Sequence, residues 1–152
     1  MLATRRPPFQ VMGDARVVPP SGAFLQATAD GERALVAAVR DAIGGASRVA
    51  DLFSGCGTFA LPLAERAGVL AVEGDAAMPA ALAEAARQAD GLRPVRTQVR
   101  DLFRRPLLAG ELEGFEAVVI DPPRAGAEAQ TRELARSSVP VIAAVSCDPA
   151  TF

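Results

Sequence analysis

Short apolar runs with no polar alternation, separated by helix-like segments, constrain this chain more than any other feature. The runs "VLAV", "AVVI" and "VIAAV" are too continuous for strands with one wet face. They suit strands covered on both sides. The spacing predicts strands over 48–53, 68–75, 94–101, 115–121 and 139–147. It predicts helices from Asp30 to the Gly44-Gly45 pair and over 58–67, 76–90 and 131–138. In the first helix Leu35, Val39, Ala42 and Ile43 share a face, and Thr28 or Asp30 can cap it. Strands alternating with helices imply right-handed crossovers and a mostly parallel sheet with helices on both faces, an α/β fold. Such open sheets bind ligands beyond the carboxyl ends of their strands. The chemistry should therefore stand just after each strand.

Composition removes several alternatives. The chain has 152 residues, enough for one domain with its own core. Residues 1–27 are Pro-rich and read as an irregular or short-strand lead-in, with 28–152 forming the domain proper. The opening "MLATRRPPFQ" has no apolar run after its arginines, and no stretch is long enough to span a bilayer. A cytoplasmic protein without a membrane partner is the expectation. There is no histidine and no tyrosine, so proton chemistry falls to carboxylates or to the two cysteines, Cys56 and Cys147. Two cysteines without histidine cannot form a familiar metal site, and no metal is expected. All 16 basic residues are arginine, which excludes Schiff-base and P-loop lysine chemistry. The net charge of −2 is unlike that of a domain that grips nucleic acid unaided.

The strand ends carry a consistent pattern. After the first comes "DLFSGCGTF", where Gly55 and Gly57 allow a sharp turn and a close ligand approach. It is not GxGxxG, so a pyrophosphate ligand is disfavoured. After the second comes "VEGD". Glu73 is placed to accept from two ribose hydroxyls, and Asp75 to cap the next helix. After the third, Asp101 could accept from the exocyclic amine of adenine. After the fourth, "DPPRAG" sets Asp121 at the cleft edge, before two stiffening prolines and Arg124. After the fifth comes Cys147, either a buried small hydrophobe or a reactive thiol facing the ligand edge. Cys56, inside the glycine turn, reads as structural. Glycines, then an acid, then an acid outline a nucleoside with a non-phosphate tail, which suits S-adenosylmethionine better than a dinucleotide.

Taken together, "GAFLQAT", "DLFSGCGTFALPLA", "VEGD", "DPPRAG" and "SCDPATF" resemble the catalytic domain of the RNA 5-methyluridine methyltransferases, from about Pro20 to Phe152. The resemblance implies a Rossmann-like class I methyltransferase fold and S-adenosylmethionine as cofactor. It implies a uridine in tRNA or rRNA as substrate. It places Gln26, Phe53, Gly55 and Thr58 against the cofactor, although many relatives have asparagine where Thr58 stands. It gives the ribose to Glu73, the adenine side to Asp101 and the methionine end to Asp121. It makes Cys147 the nucleophile that adds to C6 of uracil.

The family's proton-abstracting glutamate lies further towards the C-terminus than this chain reaches. The expectation is a partial domain, truncated after the fifth strand and unable to complete turnover alone, with that strand as an exposed sheet edge. Three other readings compete. RNA 5-methylcytosine methyltransferases carry a second cysteine in the strand-four loop, which "DPPRAG" lacks. An exocyclic-amine methyltransferase would place an aromatic residue where Arg124 stands. A cofactor-binding remnant without catalysis is the alternative outside enzymology.

Overall fold

The computed structural model describes residues 7–23 and 28–146. Two short strands, β1 (Gln10–Met12) and β2 (Ala15–Val17), open the chain as an antiparallel hairpin. Then follow α1 (Ala29–Ile43), β3 (Arg48–Leu52), α2 (Ala60–Leu63), β4 (Gly68–Glu73), α3 (Ala77–Gln88) and β5 (Val95–Val99). A 3₁₀ turn (Ala109–Leu112), β6 (Ala117–Ile120), α4 (Glu128–Arg136) and β7 (Val141–Ala144) complete the described order. The five strands β3–β7 form one sheet in the order β5-β4-β3-β6-β7, every neighbouring pair parallel. The chain moves outward from β3 through β4 to β5, then returns to the other side of β3 for β6. The reversal point lies between β3 and β6, where an open parallel sheet leaves a crevice at the carboxyl ends of its strands.

The period-two geometry of strands explains the continuous apolar runs. Val49, Ala117 and Val119 point into one core, shared with Val39 and Ile43 of α1 and Leu82 of α3. Their alternates Ala50, Leu52, Val118 and Ile120 point into a second, with Leu112 and with Leu134 of α4. All four residues of β6 are buried. The lead-in contributes to packing as well. Met12, Ala15 and Val17 line the inner face of the hairpin and join the first core.

Several expectations shift in detail. Thr28 caps α1, accepting from the Gly31 N–H at 3.1 Å, and Gly44 ends it with φ 56°. Ala42, expected on the apolar face, is exposed, and Val36 packs against the core instead. The second helix is only one turn, Ala60–Leu63, rather than 58–67. Pro62 supplies no N–H, and the following bonds tighten, with Glu65 and Arg66 donating to Pro62 and Leu63 three residues back. β7 is the outer strand of the sheet among the described residues, as expected. Its run is not covered on both faces, however: Ile142 is 43% exposed and Ala144 is also exposed.

Candidate functional site

The site is built where β3, β4 and β6 end. β3 finishes at Leu52, and Phe53 turns the chain with φ 61°, a left-handed conformation uncommon outside glycine. Gly55 and Gly57 continue the turn at φ 53° and 103°. Gly57 is required for a second reason. A Cβ there would lie 2.9 Å from Leu82 Cγ and 3.0 Å from Leu61 Cγ, so only a bare backbone lets the turn seat on α3. Backbone bonds from Ser54 N–H to the Val72 carbonyl and from Gly57 N–H to the Ser54 carbonyl fix it to β4 and to itself.

Glu73, the last residue of β4, ties this turn down. Its Oε2 accepts from the Gly55 N–H at 3.0 Å, and its Oε1 accepts from Gly74 and Asp75 N–H at 2.7 and 3.0 Å. The carboxylate thus positions the glycine turn while staying half-exposed, with lone pairs left for a ligand. Asp75, one residue ahead of Ala76, accepts from the Ala77 N–H at 3.0 Å, and Ala76 takes the N-cap position of α3 in place of the expected Asp75. Asp101 behaves similarly after β5. Its Oδ1 accepts from Phe103 and Arg104 N–H at 3.0 and 3.3 Å, and Oδ2 lies 3.7 Å from the Arg104 Nε. Phe103, 49% exposed, packs against Phe53 with ring centroids 5.3 Å apart.

Asp121 follows β6 across the reversal point. Its N–H donates to the Leu52 carbonyl at 3.3 Å, which continues the ladder between β3 and β6. Burial pushes its carboxyl up to about 6. Arg124 is exposed. Cys56 is buried with its Sγ 3.2 Å from Met78 Sδ. Burial, then the charges of Glu73 and Asp75, push its thiol up, so it is a poor thiolate and a good packing residue. Thr58 is half-buried in the turn. Gln26 and Cys147 lie outside the described residues.

The structure adds a residue that the sequence reading passed over. Asp51 sits inside β3, fully buried, and neither carboxyl oxygen has a hydrogen-bond partner of normal geometry. Burial raises its carboxyl far above the ordinary aspartate range. Asp121 and Glu73 raise it further, and the nearby Ala60 N–H offsets only part of this. The Ser54 hydroxyl, also buried, is likewise without a partner. The signal was available: an acid in the middle of "VADLF", a strand expected to be dry on both faces, is costly unless something uses it. Two surface hollows of about 320 and 370 Å³ lie elsewhere, one between the hairpin and the end of α3, the other around Arg48, Arg96 and Phe115 at the amino ends of the strands. The convergence of turn, acids and orphaned polar atoms is at the carboxyl ends. Among the described residues no group of histidine, cysteine or acidic side chains is arranged to hold a metal ion, and no helix is long and apolar enough to cross a membrane.

Comparison with known proteins places this arrangement. No family model matches the chain. A putative methyltransferase from Escherichia coli superposes with a TM-score of 0.67 at 19% identity, covering 92% of this chain and 81% of that one, which speaks for the fold alone. The fold is that of a Rossmann-like class I methyltransferase domain. A tRNA (uracil-54, C5)-methyltransferase from Pyrococcus abyssi, solved with S-adenosyl-L-homocysteine, matches 95% of this chain and 35% of its own with a TM-score of 0.76 and 27% identity. In sequence the chain is 59% identical over 136 residues to an uncharacterized RNA methyltransferase of Rhizobium meliloti, covering 90% of this chain and 33% of the relative. It is 46% identical over 137 residues to the 23S rRNA (uracil(1939)-C(5))-methyltransferase RlmD of Chromohalobacter salexigens, covering 86% and 27%. The chain spans about a third of the length of the curated relatives it matches first. Over that third, the resemblance to the RNA uracil-C5 methyltransferase family holds in sequence and in fold.

Proposed function

We propose that this chain is the cofactor-binding and nucleophile-bearing part of an S-adenosylmethionine-dependent RNA methyltransferase that modifies C5 of a uridine in tRNA or rRNA. The observation that carries the reading is the joint made by Glu73 and the glycine turn, facing Asp121 across the sheet's reversal point. This is a nucleoside site without a phosphate cradle, in a chain 46% identical to a uracil-C5 methyltransferase.

The residues present fit the cofactor. Glu73 keeps acceptor capacity for ribose hydroxyls, Gly55 leaves backbone open to it, and Phe53 and Thr58 flank the turn. Asp101 faces the adenine side through Oδ2. Asp121 puts a carboxyl, and the orphaned Asp51 a buried acid, near where a cationic, amine-bearing tail would lie. Gln26 would add a contact from the lead-in. S-adenosylmethionine, when bound, supplies a methyl group to a carbon that carries excess electron density.

The chain's own contribution to that electron density is Cys147, just after β7 in sequence. C5 of uracil is a poor nucleophile. Addition of the Cys147 thiolate to C6 makes the ring an enolate and loads C5. Loss of the C5 proton then lets the same sulfur leave. Cysteine suits both halves, being partly ionised near neutral pH and a good leaving group. No described residue is assigned to removal of the C5 proton.

The test is capture of RNA. The chain is incubated with S-adenosylmethionine and a transcript containing 5-fluorouridine, whose C5 fluorine cannot leave as a proton does. A covalent protein–RNA band on a denaturing gel, absent in Cys147→Ala, is the expected result. Cofactor binding with no adduct would leave a methyl-donor-binding module and remove the cysteine mechanism. An adduct that persists in Cys147→Ala would remove it as well.

A further inference from the structure

Among the described residues Asp51 is a fully buried carboxylic acid, and neither of its oxygens has a hydrogen-bond partner of normal geometry. An isolated carboxylate in such a place is far costlier than the neutral acid. Three elements face it with charge or dipole. Glu73 at the end of β4 and Asp121 after β6 are like charges, and the Ala60 N–H at the start of α2 is the compensating dipole. The Cys56 thiol in the turn between them is itself pushed up and brings no charge. None of the ion pairs among the described residues involves Asp51, Glu73 or Asp121, so these acids meet no protein cation there. The Ser54 hydroxyl, three residues along, is also buried and unpartnered. The site is thus an acidic floor with unused acceptors.

We propose that Asp51 senses the charge of the cofactor: a cationic sulfonium in the cleft displaces the Asp51 proton to solvent, a neutral thioether does not, and the site thereby holds the methyl donor more tightly than its demethylated product. The proposal rests on the function proposed above for the identity of the ligand. The balance is simple. One positive charge enters with the sulfonium and one proton leaves the carboxyl for the buffer, so the site and its ligand together keep the net charge of the empty site. No bond to carbon or sulfur changes. The thioether product brings no such charge, and Asp51 keeps its proton. A site working this way rejects its own product without moving the turn, because discrimination comes from a proton and not from shape.

The experiment is isothermal titration of the whole chain with S-adenosylmethionine and, separately, S-adenosylhomocysteine, in two buffers of different protonation heat. Repeating the titrations across a range of pH, in the wild type and in Asp51→Asn, separates the two acids, since Asp121 is pushed up only to about 6 and is present in both. The expected result is proton release with the sulfonium and markedly less with the thioether. The affinity for the sulfonium should rise by up to about tenfold per pH unit while Asp51 titrates. Asp51→Asn, which keeps shape and removes the proton, should abolish the difference between the ligands. Equal proton release by both ligands, or an undiminished difference in Asp51→Asn, overturns the proposal and leaves the function intact. If neither ligand binds, both fall together. If the variant does not fold, the wild-type proton count decides alone.

Discussion

At the end of β4, Glu73 takes hydrogen bonds from three backbone N–H groups and holds the glycine turn. On the neighbouring strand β3, Asp51 takes none and lies deeper. The two carboxylates belong to one site, and each raises the question the other answers. Glu73 is a satisfied anion whose donors are the turn itself, so it organises the site before any ligand arrives. Asp51 is an unsatisfied acid whose burial was set by the sheet. Residues that break the rule of paired buried polar groups mark places where a ligand or a proton is expected to complete the structure.

The comparison can be broken at its hinge. Gly57→Ala should have the largest effect, because it sets a Cβ within 3.0 Å of Leu82 and Leu61 at φ 103°. A loss of about 3 kcal/mol in urea denaturation is expected, from overpacking and left-handed strain together. Stability unchanged within error would mean that the turn is not seated on α3 as described. Glu73→Gln comes next. The amide keeps one acceptor but sets an N–H₂ against backbone donors. A loss of about 1–2 kcal/mol is expected, with faster amide exchange at Gly55. Unaltered exchange at Gly55 would show that Glu73 is only a ligand contact and not the anchor of the turn.

The pH dependence sharpens the same contrast. Asp51 and Asp121 both have carboxyls raised above the ordinary aspartate value. An acid raised on folding leaves the folded chain holding more protons than the unfolded one between the two values. Stability therefore falls as pH rises through that window and is greatest below it. Asp121 should account for a decline from about pH 4 to about 6, and Asp51 for a second contribution of the same sign. In Asp51→Asn that second contribution should vanish, read as the melting temperature against pH. A flat wild-type profile would mean that Asp51 carries no buried proton. Asp101→Asn should matter least. The amide oxygen still accepts from Phe103 and Arg104 N–H, and only an exposed pairing with the Arg104 side chain is lost. About 0.5 kcal/mol or less is expected. A larger loss would place Asp101 beside Glu73 as a structural anchor.

Much of this architecture was legible in residue order. Thr28 and Gly44 bracket α1 because caps and left-handed glycines are local chemistry. Uninterrupted apolar runs gave β4 and β6 because a strand buried on both faces needs no polar alternate. Gly55, Glu73 and Asp121 were picked out because each follows a strand, and a parallel sheet gathers strand ends on one edge. The misreadings have physical causes too. α2 is short because its hydrogen bonds tighten to three-residue spacing at Glu65 and Arg66, a change the apolar run did not signal. Ile142 is exposed on the face of β7 opposite Ala143, and which face is covered depends on the packing around the sheet and not on the run itself.

The local rules of capping, periodicity and turn chemistry act over a few residues, and for those the bare chain was sufficient: it specified the alternating elements and the side of the sheet that carries chemistry. Whether a given carboxyl finds donors or is stranded depends on which strands become neighbours, and that is a long-range outcome. Pairing β3 with both β4 and β6 brought the Gly55 N–H to Glu73, set Asp121 near Asp51 and buried Asp51. Only the assembled sheet could separate the anion that is satisfied from the acid that is not.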